Sequence, residues 1–199
     1  PFKGFQEGKM VRLKLSHAHK IKENIEGIEL VVPRSRGQAL VVRNFLSGRY
    51  GVNGDYPLLD QIQKKKMLRG RFINQNDINI KGKVAVISED IYKQLFDKNE
   101  NPIGRYIQVN SMNFTVIGVF QNENVDMGPS SDIHIPFTTF QQIYNLGDRI
   151  GWMVVTGKPE YNIKQIEEDI KLLLRNLNKI HPRDKRALGS FNLGKEFAK

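Results

Sequence analysis

The sequence predicts an α+β domain. Short apolar runs with the two-residue period of strands occur throughout the chain. Apolar residues at three- and four-residue spacing mark helices, and the two patterns are mixed along the whole length. Glycine and proline punctuate them. At 199 residues the chain can hold one sizeable domain or two small ones, with enough bulk to bury a core.

The elements follow in order. "LSHAHKIKENIEG" predicts a helix with Ser16 as its cap, Ala18, Ile21 and Ile25 on one stripe, and Gly27 as its stop. "IELVVP" and "QALVVRNF" read as strands separated by the polar loop "RSRG". Asn53-Gly54 is a turn signal, and a helical segment from Leu58 to Met67 follows. "GRFINQND" reads as loop or short strand, and "KVAVIS" as a buried strand. Ser88 can cap the helix "EDIYKQLFD", with Glu89 and Asp90 favourably placed in its positive first turn. Pro102 prevents that helix from continuing.

"NPIGRYIQVNSMNFTVIGVF" then reads as a hairpin, turned by "VNSMN". Gly118 breaks its second run and predicts a bulge or a close backbone approach. Past the polar loop "NENVDMGPSSD", "IHIP" is a short strand, Thr138 or Thr139 caps "FQQIYNLG", and "IGWMVVTG" is another strand. The clearest helix carries Ile163, Ile166, Ile170, Leu173, Leu174 and Leu177 on one face. His181-Pro182 ends it, and "SFNL" offers a closing strand.

A hydrophobic content of 39% and a charged content of 26% describe a folded chain, not a disordered one. No run approaches the ~20 apolar residues of a membrane helix. There is no cysteine, hence no disulfide and no thiolate chemistry. The polar start without Met predicts no signal peptide, and the abrupt ends are expected of a segment of a longer polypeptide. The net charge of +10 raises nucleic-acid binding, with cations clustered at Lys64, Lys65, Lys66, Arg69 and Arg71 and from Lys179 to Arg186. Single-strand binders interleave aromatic platforms with such cations. Here Phe114 and Phe140 occupy apolar positions instead, which favours a solvated basic face, of the kind that turns toward an anionic membrane surface.

Candidate chemistry is thin. On a helix His17 and His19 point ~200° apart and cannot share a metal. His134 and His181 are isolated, so all four histidines read as surface or capping residues. Glu167, Glu168 and Asp169 lie off the apolar stripe of their helix, on its solvated face. The chain has no nucleophile elbow and no phosphate loop. Asn113-Phe114-Thr115 matches a glycosylation sequon at a strand start and is set aside. No catalytic, cofactor-binding or metal-binding residue is expected. The residues that stand out shape the backbone: Gly70, Gly104 and Gly118, with Pro102 and Pro136.

Taken in order, "LRGRFINQND", "VAVISEDIYKQLF", "NPIGRYIQVNSMNFTVIGVF", "DIHIPF" and "HPRDKRALGSFNL" resemble the periplasmic core domain of MacB-like ABC transporter permeases. The matching positions are Gly70, Arg71, Phe72 and Asp77, then Val84 to Val86 with Leu95 and Phe96. Asn101, Pro102, Ile103 and Gly104 follow, then Phe114, Val116, Ile117, Gly118 and Val119, and Pro136. The N-terminal third matches only loosely.

The resemblance implies a two-lobed extracytoplasmic domain. A porter-like lobe would comprise residues 1–55 and 136–199, and a smaller inserted, sabre-like lobe residues 56–135. It implies the periplasmic part of an inner-membrane permease that works as a homodimer. ATP and Mg would act at a cytoplasmic ATPase domain or subunit outside this chain. The domain would be non-catalytic, relaying ATP-driven motion to a HlyD-like periplasmic adaptor and a TolC-like outer-membrane channel for export of drugs, peptides or other amphipathic compounds. The alternative is the ectodomain of a related permease that extracts lipoproteins or regulates a cell-wall hydrolase. A free-standing nucleic-acid-binding domain is a third, weaker reading.

Overall fold

The structure is a computed structural model that describes residues 13–122 and 131–177. In chain order its helices are α1 (Leu15–Asn24), α2 (Leu59–Ile62), α3 (Gln75–Asn79), α4 (Glu89–Leu95), α5 (Phe137–Ile143) and α6 (Ile163–Leu177). Its strands are β1 (Ile28–Arg43), β2 (Leu46–Asp55), β3 (Lys65–Gly70), β4 (Val84–Ser88), β5 (Tyr106–Val109), β6 (Met112–Asn122), β7 (Asp132–Pro136) and β8 (Trp152–Gly157). The fold is a mixed α/β one. The chain divides into two compact units, residues 1–33 with 148–199 and residues 34–147.

In the first unit α6 buries Ile166, Ile170 and Leu174, the stripe its spacing predicts, and α1 buries Ala18 and Ile21. Between Met153 and Thr156, β8 is fully buried, and the Leu30 amide donates to Thr156 Oγ1 at 2.9 Å. The cap of α1 is Lys14, not Ser16. The imidazole of His17 performs the capping, its Nδ1 accepting the Lys14 amide at 3.1 Å.

In the second unit the strands close on themselves. The order β2-β7-β4-β6-β5-β1 returns to β2 through the long β1–β2 ladder, and β3 adds to β6 outside this ring. The pairs β2–β7 and β4–β6 are parallel, and the others in this unit are antiparallel. Val41, Val52, Ile87, Val109, Phe114, Val116, Ile133 and Ile135 form the core, and Ile91, Leu95, Phe96 and Phe140 join them from the helices. The predicted hairpin is present as β5 and β6, and Ser88 caps α4 by accepting the Ile91 amide.

Several local expectations give way to tertiary partners. β1 runs unbroken through "RSRG", because Arg34 bonds Asp55 and Ser35 Oγ donates to Gln141 Oε1 at 3.0 Å. The hairpin between β1 and β2 turns at Asn44-Phe45, while Asn53-Gly54 lies inside β2 and Asn53 Oδ1 accepts from Arg36. The segment expected as helix to Met67 is α2 followed by β3, whose pairing with β6 outcompetes helix. "GRFINQND" runs into α3, which starts at Gln75. Pro136 is the N-cap residue of α5, since the Thr138 and Thr139 hydroxyls donate elsewhere, to the Ile78 and Gly82 carbonyls at 2.6 and 2.8 Å. His181-Pro182 and "SFNL" lie outside the described residues, as does most of "NENVDMGPSSD". The expected lobe edge after residue 55 falls at the end of β2, and that before residue 136 falls inside β7, a strand that pairs with β2.

Candidate functional site

Several of the sequence-predicted motif residues of the second unit meet where β3 lies against β6. Gly70 pairs with Gly118, and the Arg71 amide donates to the Ile117 carbonyl at 3.0 Å. Neither glycine leaves room for a side chain. A Cβ on Gly70 would lie 2.0 Å from the Ile117 carbonyl oxygen, and one on Gly118 would lie 2.3 Å from the Arg71 carbonyl oxygen. Gly70 also has a φ of +65°, a conformation L side chains resist. The β4–β6 register shifts between Ala85 and Val86, opposite Val116 and Gly118, which is the predicted bulge.

The turn "NPIG" clamps this crossing. Asn101 Oδ1 accepts the Ile103 amide at 3.1 Å, and the Pro102 carbonyl accepts the Arg105 amide at 3.0 Å. Gly104, at a φ of +85°, donates to the Val116 carbonyl at 2.8 Å. The turn places the Ile103 methyl against Gly70. On the other side Arg71 grips Asp77 with two hydrogen bonds of 2.7 and 3.2 Å. Asp77 is also half of a capping box: its Oδ2 accepts the Asn74 amide at 2.9 Å and Asn74 Oδ1 accepts the Asp77 amide at 3.0 Å. Burial pushes the Asp77 carboxyl up, but the Arg71 hydrogen bond, the Asn74 amide and the Arg71 charge outweigh it and hold the group below the usual carboxylate range.

Phe72 joins this junction to a buried ionic cluster that sequence reasoning missed. Its ring stands edge-on to His134 at 5.7 Å, as does the Phe120 ring at 5.1 Å. His134 Nδ1 lies 2.6 Å from Asp55 Oδ2. Arg34 holds the same carboxylate through Nε at 2.6 Å and Nη2 at 3.1 Å. All three residues are buried, and the Asp55 side chain is wholly so. Burial lowers the affinity of His134 for a second proton more than Asp55 restores it, so the neutral imidazole donates from Nδ1 to the carboxylate. Burial alone would raise Asp55, yet His134 and Arg34 together hold it ionised. His134 is therefore a structural core residue and not a surface or capping one. The partners are 21 and 79 positions apart in sequence, so no local motif announces them.

The remaining motif positions are structural too. Leu95 and Phe96 lie in the core, where the Phe96 ring stacks on Tyr92 and carries the Arg43 guanidinium 4.0 Å above it. Pro136 is buried opposite Asp55 at the end of the β2–β7 ladder. Glu167 and Glu168 pair with Lys171 along the outer face of α6. Among the described residues, no group of three or more His, Cys, Asp or Glu could hold a metal ion. None of their helices is long and apolar enough to cross a membrane. The arrangement is a close backbone crossing beside a buried ion-pair cluster.

The family model of the MacB-like periplasmic core domain matches residues 2–173. This chain belongs to that family. The macrolide export ATP-binding/permease protein MacB of Aggregatibacter actinomycetemcomitans is 27% identical over 172 residues, 83% of this chain and 26% of the relative. The pyoverdine export ATP-binding/permease protein PvdT of Pseudomonas syringae pv. syringae is 25% identical over 155 residues, 76% of this chain and 23% of the relative. This MacB-like chain thus spans about a quarter of the length of the curated relatives it matches. The crystal structure of the periplasmic region of MacB from Actinobacillus actinomycetemcomitans superposes with a TM-score of 0.75 at 25% identity, covering 86% of this chain and 77% of that one. The extracellular domain of the transporter YknZ from Gram-positive bacteria has the same fold, with a TM-score of 0.75 at 17% identity over 86% of this chain and 87% of that one.

Proposed function

We propose that this MacB-like domain is the periplasmic relay of an ABC export permease. The match of the family model to residues 2–173 carries the reading, and the architecture supports it. A relay needs bodies that move without deforming. The crossing of Gly70 and Gly118 and the sealed Arg34–Asp55–His134 cluster stiffen the second unit in this way. In this reading the unit of residues 1–33 and 148–199 would serve as the porter-like lobe and the unit of residues 34–147 as the inserted one, bounds that differ from the expected 1–55 with 136–199 and 56–135.

In this reading the parent permease sits in the inner membrane as a homodimer. ATP and Mg act at a nucleotide-binding domain outside this chain, and closure there drives the paired periplasmic domains. These pass the motion to a HlyD-like adaptor and a TolC-like outer-membrane channel, and amphipathic compounds are exported. The domain itself performs no chemistry.

The test is replacement of residues 34–147 by a short linker in the parent permease. ATP hydrolysis should persist while export of a macrolide probe is lost. Undiminished export would overturn the proposal, as would ATP turnover by the purified 199-residue chain. That chain should also sediment as a monomer at micromolar concentration.

A further inference from the structure

The buried Arg34–Asp55–His134 cluster has one weak wall. Residues 60–68, the end of α2 and most of β3, form it, and none of them is buried. α2 is only four residues long and has no side-chain cap. Among the described strands, β3 pairs on one flank alone, and its register on β6 shifts between Met67 and Arg69. The segment is pinned at its two ends, by the buried Leu59 and by the pairing of Gly70 with Gly118. Between these pins little apolar burial holds it down, which is how a segment comes to open without the rest of its fold.

The inner side of this segment meets the cluster. Gln63 Oε1 accepts from Arg34 Nη1 at 3.3 Å. The Lys65 ammonium lies 5.3 Å from the centre of the Phe120 ring, which stands edge-on to His134. The charged groups that act on His134 are Asp55 from β2, Arg34 from β1 and Lys65 from β3. β4 pairs Val86 with it, and Phe72 and Phe120 bring only rings. Asp60 and Asp132 act on Lys65 from α2 and β7, yet burial and the Arg34 charge still push the affinity of Lys65 for its proton down. One wholly buried carboxylate therefore already serves two cations. A proton on His134 makes three. Arg34 and His134 are both hydrogen-bonded to Asp55, whereas Lys65 rides on the part that can move.

We propose that residues 60–68 are a proton-operated strap: they close over the cluster while His134 is neutral, and protonation of His134 expels Lys65 and lifts the strap from β6. The device lies wholly within the second unit and does not depend on the function proposed above. It makes the stiffness of that unit answer to pH. The direction follows from burial. Under the closed strap His134 takes up a second proton less readily than an imidazole in water, whose value is 6.5. The open form therefore gains the proton first as the pH falls. Below about 6.5 the open population rises by up to about tenfold per unit of pH, until the closed form is protonated as well. Above that pH the strap stays shut.

The test is amide hydrogen exchange on the 199-residue chain from about pH 7.5 to about pH 5, corrected for the intrinsic pH dependence of exchange. The Gln63 amide, which donates to the Leu59 carbonyl at 2.8 Å, and the Lys65 amide, which donates to Asp60 Oδ1 at 3.2 Å, report on the strap. At every pH they should be at least about tenfold less protected than the amides of the central strand β4. Below pH 6.5 their protection should fall by up to about tenfold per unit. His134→Asn should abolish that fall. Lys65→Gln removes one of the competing cations, so it should raise the titration midpoint of His134 seen by NMR and shrink the fall at least about threefold. Strap amides whose protection ignores pH, or equals that of β4, overturn the proposal. A fall that persists in His134→Asn overturns it too, and if that variant does not fold, an undiminished fall in Lys65→Gln does so instead.

Discussion

Replacing Gly118 by alanine tests whether the β3–β6 crossing is as tight as its geometry states. The added carbon would lie 2.3 Å from the Arg71 carbonyl oxygen and 2.7 Å from the Met67 methyl. An unstrained carbon-to-oxygen approach is about 3.3 Å, so one strand must retreat by about 1 Å. Retreat of β3 sacrifices the Arg71 amide bond to Ile117 and the Gly70–Gly118 pairing. Retreat of β6 instead drives it into β4, where Val86 faces Gly118. Each lost hydrogen bond costs about 1 kcal/mol and overpacking costs about 1–3 kcal/mol, which together come to roughly 2–4 kcal/mol. Urea unfolding should show this as a lower midpoint at unchanged slope, and thermal unfolding as a fall of roughly 10 °C. Gly104→Ala is the control. Its φ of +85° is unfavourable to alanine, but nothing lies within 4 Å, so the cost should be only the left-handed strain of about 1–2 kcal/mol. A Gly118→Ala loss below about 0.5 kcal/mol, or one smaller than that of Gly104→Ala, would refute the reasoning from close approach.

Asp55→Asn should be among the most damaging single changes, costing about 3–5 kcal/mol by leaving the Arg34 charge buried without its counter-ion; near-wild-type denaturation would sink this. The same cluster sets a pH dependence. His134 titrates below the 6.5 of an unperturbed imidazole in the folded chain, so its contribution is present above that pH and is lost as the pH falls through 6.5 and below. Asp55 acts in the same direction further down, since its folded-state value lies below the ordinary 3.8. Stability should therefore decline between pH 7 and pH 5, and His134→Asn, which keeps a donor near Asp55 but does not titrate, should flatten that decline. Asp77→Ala removes a cap and the partially exposed Arg71 pair, and should cost about 1–2 kcal/mol by equilibrium unfolding.

The parts of this fold that could be seen in the sequence are those whose partners are close along the chain. The Ile/Leu stripe of α6, the Ser88 cap of α4 and the β5–β6 hairpin all depend on neighbours within a few positions. Gly118 could be recognised as a close approach because a glycine inside a strand has few other uses. The errors lie where distant residues decide. "RSRG" looks like a loop until Asp55 and Gln141 are brought to Arg34 and Ser35. Asn53-Gly54 looks like a turn until the β1 and β7 partners flank it. The lysine-rich run to Met67 is a strand only because β6 offers it a ladder. The Arg34–Asp55–His134 cluster had no local signal. Its one clue was a histidine within the apolar run "IHIP", where a buried ring needs a buried partner.

Among the described strands, β3 is paired on one flank only, by β6. An unfinished flank is a template on which a foreign chain could zip, a hazard wherever many unfolded chains pass in transit. The lysines and arginine at positions 64, 66 and 69 are exposed along this rim, where electrostatic repulsion deters such pairing. These three belong to the basic cluster that raises nucleic acid on first reading, and on this rim they would act as guards against pairing. Swapping these three cations for threonine or valine would yield a correctly folded molecule that precipitates.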